Sequence, residues 1–230
     1  MYYILVASMP DKSMKYTNKA LIKIYKDIFI NHQIKNLLKV NIRSKILVVC
    51  AFESKRIIGH VIKNKRVTYI NHEYNEYSNI GESIKEAIKT IPDDQDITII
   101  NLSMVIDPKI MKQIKPKNSS IIKSDSTKFK SKIGCTHDPN NNVEFIFYDL
   151  EHKICEYLYI HKKDTKIFKN IVQNHIKDNM YLFEIINTMI HHKMKISMET
   201  IKSNIINFTN IDQLPYIKTL FKKINNATTV

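Results

Sequence analysis

Asp96-Ile97-Thr98-Ile99-Ile100-Asn101-Leu102-Ser103-Met104-Val105-Ile106-Asp107-Pro108 changes character twice along its length. Ile97, Ile99 and Ile100 form a short β-branched run of the kind that fills a parallel strand buried on both faces. The run gives out at Asn101-Leu102-Ser103. Asp107-Pro108 then reads as a helix start, an N-cap acid followed by proline at the first helical position. In open α/β sheets ligands bind just past the carboxyl ends of strands, so residues 101–107 are where chemistry is expected. The residues there, Asn, Leu, Ser and Met, are an unusual set for an active site.

Upstream, Tyr2 to Ala7 predicts a first strand, with a polar loop from Ser8 to Lys15 behind it. Lys19 to Ile24 is a short apolar-alternating piece, and Ile28 to Leu38 has helical spacing. Lys45 to Cys50 predicts a second strand and Glu53 to Ile62 a helix. Val67 to Ile70 predicts a third strand, Asn71 to Asn79 a polar loop, and Gly81 to Ile91 a helix with Ile84, Ala87, Ile88 and Ile91 on one face. Strands that alternate with helices of this length predict an α/β fold around a parallel sheet. Downstream, 119–122, 130–135, 143–148 and 154–160 read as strands, and 166–177 and 180–192 as helices. Strands at 194–198 and 204–208 and a last helix at 211–224 complete the chain. No linker or internal repeat interrupts it, so residues 1–230 are expected to form one domain.

Composition excludes several classes of function. Three glycines in 230 residues, where average usage of ~7% would give about 16, leave no Gly-rich phosphate cradle. Cys50, Cys135 and Cys155 are widely spaced and form no CxxC pair, so neither a disulfide framework nor a cysteine zinc site is indicated, and a reducing, cytoplasmic setting is expected. The apolar runs are too short to span a bilayer, and residues 1–9 read as a strand and not as a leader. The net charge of +14 raises nucleic acid as a partner, but lysine supplies nearly all of it along the whole chain. Only Lys112 to Lys132 clusters, so solvated lysines are preferred to a nucleic-acid face.

Four places resemble the sugar-phosphate and phosphocholine nucleotidyltransferases, and the likeness runs over nearly the whole chain. Ile4-Leu5-Val6-Ala7 with Ser8-Met9-Pro10-Asp11-Lys12 stands where that family has a strand and a Gly-rich signature, and Lys19-Ala20-Leu21 stands for its Lys-Pro-Leu. Gln33 fits the following helix. Asn71-His72-Glu73-Tyr74, then Ser78-Asn79 and Ser83, match the family's Asn-x-x-Tyr and the helix start after it. Leu102-Ser103 takes the place of a Gly-Asp, with Asp107-Pro108 retained. Asn207 to Leu214 fits the closing Glu-Ile-Asp-x-x-x-Asp-Leu, with Thr209 at the first aspartate, and Lys162 falls where the family carries a lysine that reaches the acceptor phosphate.

The resemblance implies a Rossmann-like mixed, mostly parallel sheet with helices on both faces. It also implies an activity that joins a nucleoside triphosphate to a phosphorylated sugar or alcohol. It assigns Lys12, Lys19, Asn71, Asn79, Ser83 and Ser103 to a nucleotide, Lys162 to the acceptor, and a nucleotide or nucleotide-sugar as partner. In the family two aspartates hold Mg²⁺. Here Ser103 and Thr209 replace them, and neutral hydroxyls offset poorly the cost of stripping water from Mg²⁺. Pro10 has no N–H to give a triphosphate. Lost or weakened catalysis is therefore expected, with no certain cofactor and Mg²⁺ only in an active enzyme. Two alternatives are an active transferase with relocated ligands such as Asp107 or Asp212, and a basic, non-enzymatic module.

Overall fold

The computed structural model describes residues 1–10, 18–77, 79–124, 131–202 and 205–226, so Lys12 and Ser78 lie outside the described residues. The first half runs β1 (Tyr2–Val6), a 3₁₀ turn (Lys19–Leu21), β2 (Lys23–Ile24), β3 (Asp27–Ile28), α1 (Phe29–Val40), β4 (Lys45–Cys50), α2 (Ser54–His60), β5 (Val67–Asn71), α3 (Ile80–Ile88), β6 (Ile97–Asn101), β7 (Met104–Val105) and α4 (Pro108–Gln113). The second half runs β8 (Ser120–Ser124), β9 (Ile133–His137), β10 (Val143–Tyr148), β11 (His152–Ile160), α5 (Thr165–His175), α6 (Leu182–His191), β12 (Ser197–Ile201), β13 (Ile206–Asn207), a 3₁₀ turn (Ile211–Gln213) and α7 (Leu214–Asn226).

The main sheet runs in the order β10-β9-β11-β6-β1-β4-β5, with β8 and β12 branching from β11. β6, β1, β4 and β5 are parallel neighbours, as the alternation of strands and helices predicts. The second half enters in the other sense: β11 is antiparallel to β6, with Tyr157 opposite Ile100 and Ile160 opposite Ile97. Residues of one strand go alternately to two cores. Tyr3 and Leu5 join α1 and α7 on one face; Tyr2, Ile4 and Val6 join α3, α5 and α6 on the other. With both faces covered, the central strands read as continuous apolar runs and not as alternating ones.

Element ends follow local chemistry. Asp107 Oδ1 accepts from the Lys109 N–H at 2.8 Å, and Pro108 takes the first helical position. Asn79 caps α3 by accepting from the Ile80 N–H. One expected strand is displaced. The alternation of Met194, Ile196 and Met198 marks three buried residues, but the ladder with β8 begins only at Ser197, opposite Ser120, so the strand is Ser197–Ile201.

Two buried amides of α1 shape the loop after β6. Gln33, fully buried, donates through Nε2 to the Met104 carbonyl at 2.6 Å and accepts at Oε1 from the Ile106 N–H at 3.0 Å. Asn36 donates to the Ile106 carbonyl at 2.8 Å. These bonds satisfy backbone groups that an irregular buried loop would otherwise leave unpaired. β7 then pairs with β13, and the Phe208 N–H donates to the Ser103 carbonyl at 2.7 Å, which draws the C-terminal segment over the end of β6. No helix among the described residues is long and apolar enough to cross a membrane.

Candidate functional site

A cleft opens at the carboxyl ends of β1 and β6. It has two compartments that share Asn79, Ile80, Asn101, Glu156 and Thr209 as their common border. The smaller, about 300 Å³, is bounded by Val6 to Pro10, Asn18, Lys19, Leu102 and Ser103. The larger, about 520 Å³, has an apolar wall of Ile133, Ile154, Leu182 and Ile186 with Tyr148, Tyr181 and Phe183. The Phe183 ring meets Tyr148 edge-on at 5.4 Å between centroids and stacks with Tyr181 at 5.9 Å.

The polar compartment is fixed by side chains that answer backbone groups. Asn18 Nδ2 donates to the carbonyls of Ala7 and Phe52 at 2.8 and 3.1 Å, and the Asn18 N–H donates to Glu53 Oε2 at 2.8 Å. This holds the chain's return to the sheet and sets Lys19 at the compartment's edge, with its ammonium 5.6 Å from the Phe208 ring centroid. Ser103, 8% exposed, lies between two acceptors: its Oγ is 2.6 Å from Glu156 Oε2 and 2.9 Å from Asn101 Oδ1. A hydroxyl carries one proton, and the shorter contact to the carboxylate takes it. Asn101 Oδ1 accepts instead from the Ser103 N–H at 3.0 Å.

Of the residues assigned from sequence, Lys19, Asn79, Ser103 and Thr209 meet at the cleft. Ser83 is fully buried behind it, with its Oγ 2.7 Å from that of Ser8. Asn71 ends β5, exposed, outside the cleft lining. Lys162 is at the other end of the sheet. Because β11 runs antiparallel to β6, the residues after Ile160 emerge beside the start of β6, where the Lys162 N–H donates to Asp96 Oδ1 at 2.8 Å. Asp107 is engaged as a helix cap, and Asp212 is an exposed residue of the 3₁₀ turn; neither lines the cleft.

Sequence reasoning missed Glu156 and the aromatic wall, and it placed Asn207 in the closing motif without giving it a role in the site. Glu156 is a lone acid in an apolar strand, and only the pairing of β11 with β6 brings it beside Asn101. It is the single carboxylate among the described residues that line the cleft. Asn207 Oδ1 is buried without a hydrogen-bond partner at the border of the larger compartment. Cys155 also lines this compartment, but burial holds its thiol well above the ordinary range, with the neighbouring Glu156 adding to the shift, so it stays protonated and is no nucleophile.

Among the described residues that line the cleft, no second carboxylate stands beside Glu156 to make a pair for Mg²⁺. One acid, already hydrogen-bonded by Ser103, faces neutral amides and hydroxyls, and no group of three His, Cys, Asp or Glu capable of holding a metal occurs among the described residues. The histidines His175, His191 and His192 come together, with His175 and His192 stacked at 3.9 Å, but on exposed surface and without such a set.

The chain's overall fold matches a known architecture. Its fold is the nucleotidyltransferase fold. The inositol-1-phosphate CTP transferase of T. maritima superposes with a TM-score of 0.78 at 12% identity, over 97% of this chain and 95% of that one. CTP:phosphocholine cytidylyltransferase of Streptococcus pneumoniae gives 0.74 at 12% identity, over 95% and 98%. The nucleoside-diphosphate-sugar pyrophosphorylase of Vibrio cholerae gives 0.68 at 12% identity, over 95% and 100%. No family model matches the sequence, and no curated protein matches it. The likeness is one of fold, at 12–16% identity.

Proposed function

We propose that this nucleotidyltransferase-fold chain binds a nucleotide or nucleotide-sugar in the cleft and has lost, or retains only weakly, metal-dependent transfer. One observation carries the reading. Ser103 and Thr209, the positions where the resemblance sets two metal aspartates, both line the cleft, and the one carboxylate near them is tied to Ser103. The polar compartment, with Lys19 and Ser8 at its edge, is the place for phosphates. The aromatic compartment takes the group attached to them, with Lys132 on its rim. The related solved structures named for CTP transfer to inositol phosphate or phosphocholine support a small phosphorylated alcohol or sugar as that group.

A thermal-shift series with nucleoside triphosphates, nucleoside diphosphates and nucleotide-sugars tests the binding half. A ligand at 100 times its dissociation constant stabilises the fold by about 2.7 kcal/mol. The expected result is a shift with at least one nucleotide that persists in EDTA. No shift with any of them overturns the reading.

A second reading has one specific observation behind it. Glu156 borders both compartments, and Mg²⁺ is often held by one or two carboxylates plus substrate phosphates. Under that reading Glu156, and neither Asp107 nor Asp212, is the relocated ligand, and Glu156→Gln abolishes whatever pyrophosphate release the protein shows.

A further inference from the structure

We propose that Ser8 donates a hydrogen bond to a nucleotide's phosphate in the polar compartment, and that His72 is the positioning residue that turns this donor on through Ser83. The proposal rests on the nucleotide reading above and adds a residue-level account of how anionic oxygen is met in a loop without glycines.

Three side chains from separate elements form an unbroken chain. His72, just past β5, has Nε2 3.1 Å from Ser83 Oγ on α3. Ser83 Oγ lies 2.7 Å from Ser8 Oγ, at the end of β1. Ser83 is fully buried and Ser8 is 1% exposed, so bulk water does not compete for these bonds. Ser8 also lines the polar compartment, which makes it the end of the chain that a ligand meets.

The direction of the chain depends on one proton. His72 Nδ1 is 3.0 Å from the Glu73 carbonyl oxygen, and a carbonyl only accepts, so Nδ1 carries hydrogen in either charge state. Nε2 is then the nitrogen that gains or loses a proton. With the imidazole neutral, Nε2 accepts from Ser83, and the Ser83 oxygen then competes with phosphate for the one Ser8 proton. With the imidazole protonated, Nε2 donates to Ser83, Ser83 donates to Ser8, and the Ser8 proton is left for the ligand. Two residues on, Pro10 contributes no N–H, which raises the weight of the Ser8 hydroxyl as a donor.

Charged and polar groups face the ring from the packed elements. Glu82 on α3 places Oε1 3.5 Å from His72 Nδ1, and its Oε2 is buried without a hydrogen-bond partner. Glu82 is the charged group that the packed helix places beside the ring, and Glu73 and Glu76 are exposed acids on the loop itself. β4 offers its Cys50 carbonyl, which accepts from the His72 N–H at 3.1 Å. Phosphate binding and His72 protonation are therefore linked, each favouring the other.

The test is isothermal titration of the full chain with CTP and UTP in EDTA, from pH 5.5 to 8.5, on wild type, His72→Gln, Ser83→Ala and Ser8→Ala. Titration of the triphosphate itself is common to all four proteins and cancels in the ratio of wild-type to variant affinity. A charge-assisted donor exceeds a neutral one by a margin that predicts about fivefold tighter wild-type binding at pH 5.5 than at 8.5, relative to each variant. Wild type also takes up more protons on binding at pH 7 than each of the three variants does, read from buffers of different ionisation enthalpy. The Ser8→Ala change removes only the terminal hydroxyl, so it keeps the test open if His72→Gln fails to fold. A ratio independent of pH, or equal proton uptake in wild type and Ser8→Ala, overturns the proposal while leaving nucleotide binding intact. Absence of binding in every protein overturns the nucleotide reading and this proposal with it.

Discussion

The two compartments of the cleft are held by opposite means. The polar one is assembled from the first half of the chain and fixed by amides: Asn18 on the carbonyls of Ala7 and Phe52, Gln33 and Asn36 on the loop from Leu102 to Ile106. The aromatic one is assembled from β9, β10, β11 and α6, and packing fixes it, with Phe183 set against Tyr148 and Tyr181. Their shared border, which includes Asn101, Glu156 and Thr209, is where the two halves of the chain meet. The difference separates two sources of precision. Hydrogen bonds to backbone set the polar end, where charged oxygen must be met at fixed distances; close packing sets the other end, where shape and apolar area decide what fits.

The largest effects are expected where each compartment depends on a glycine. A Cβ at Gly81, in the first turn of α3 beside Asn79, would run into the Lys177 carbonyl oxygen, and one at Gly134, in β9 beside Ile133, into that of Leu150. Both oxygens are backbone, so the neighbouring chain must move. Gly81→Ala and Gly134→Ala should each cost about 3 kcal/mol, read as a fall of roughly 6–12 °C in Tm. The comparison sharpens if Gly81→Ala weakens nucleotide binding more than Gly134→Ala does; equal loss from both would mean that the compartments are not independently held.

Next comes Gln33→Leu, which keeps the volume but leaves the Ile106 N–H and the Met104 carbonyl unpaired in the interior. A cost of about 2 kcal/mol is expected, with amide exchange at Ile106 accelerated. Exchange at Ile106 unchanged from wild type would show that the amide is not what shapes the loop.

The smallest stability effect is expected at the border. Ser103→Asp brings a second carboxylate to within contact of Glu156, whose Oε2 is 2.6 Å from the present Ser103 Oγ. Like charges at that range destabilise the fold, here by about 1 kcal/mol, and a divalent cation relieves them. Thermal unfolding of the variant should therefore rise with added Mg²⁺ while wild type does not respond. A variant as indifferent to Mg²⁺ as wild type would remove position 103 from any metal site.

The same division decides how much was legible in the sequence. The strand at Ile97–Asn101, the Asp107-Pro108 helix start and the apolar face of α3 are local patterns, and the structure bears them out. Ser103 and Thr209 were found because both lie in short motifs. Glu156 was not, since a single acid among Ile154, Cys155, Tyr157 and Leu158 looks like any solvent-facing strand residue until β11 is paired with β6. Lys162 was misjudged for the same reason. Its position along the chain says nothing of strand direction, and an antiparallel β11 carries it to the far end of the sheet. The aromatic wall draws Tyr148 from an edge strand and Phe183 from a helix 35 positions later in the sequence, and no periodicity links the two.

The central claim is a nucleotidyltransferase fold that keeps the cleft without the paired metal carboxylates. It is tested most directly by pyrophosphate release from CTP, UTP, GTP and ATP with Mg²⁺ and a set of phosphorylated sugars and alcohols. The account predicts no release, or only a trace near the protein-free blank, for wild type at concentrations where nucleotide is bound. Sustained release that depends on both Mg²⁺ and acceptor, and that disappears in Glu156→Gln, would contradict it.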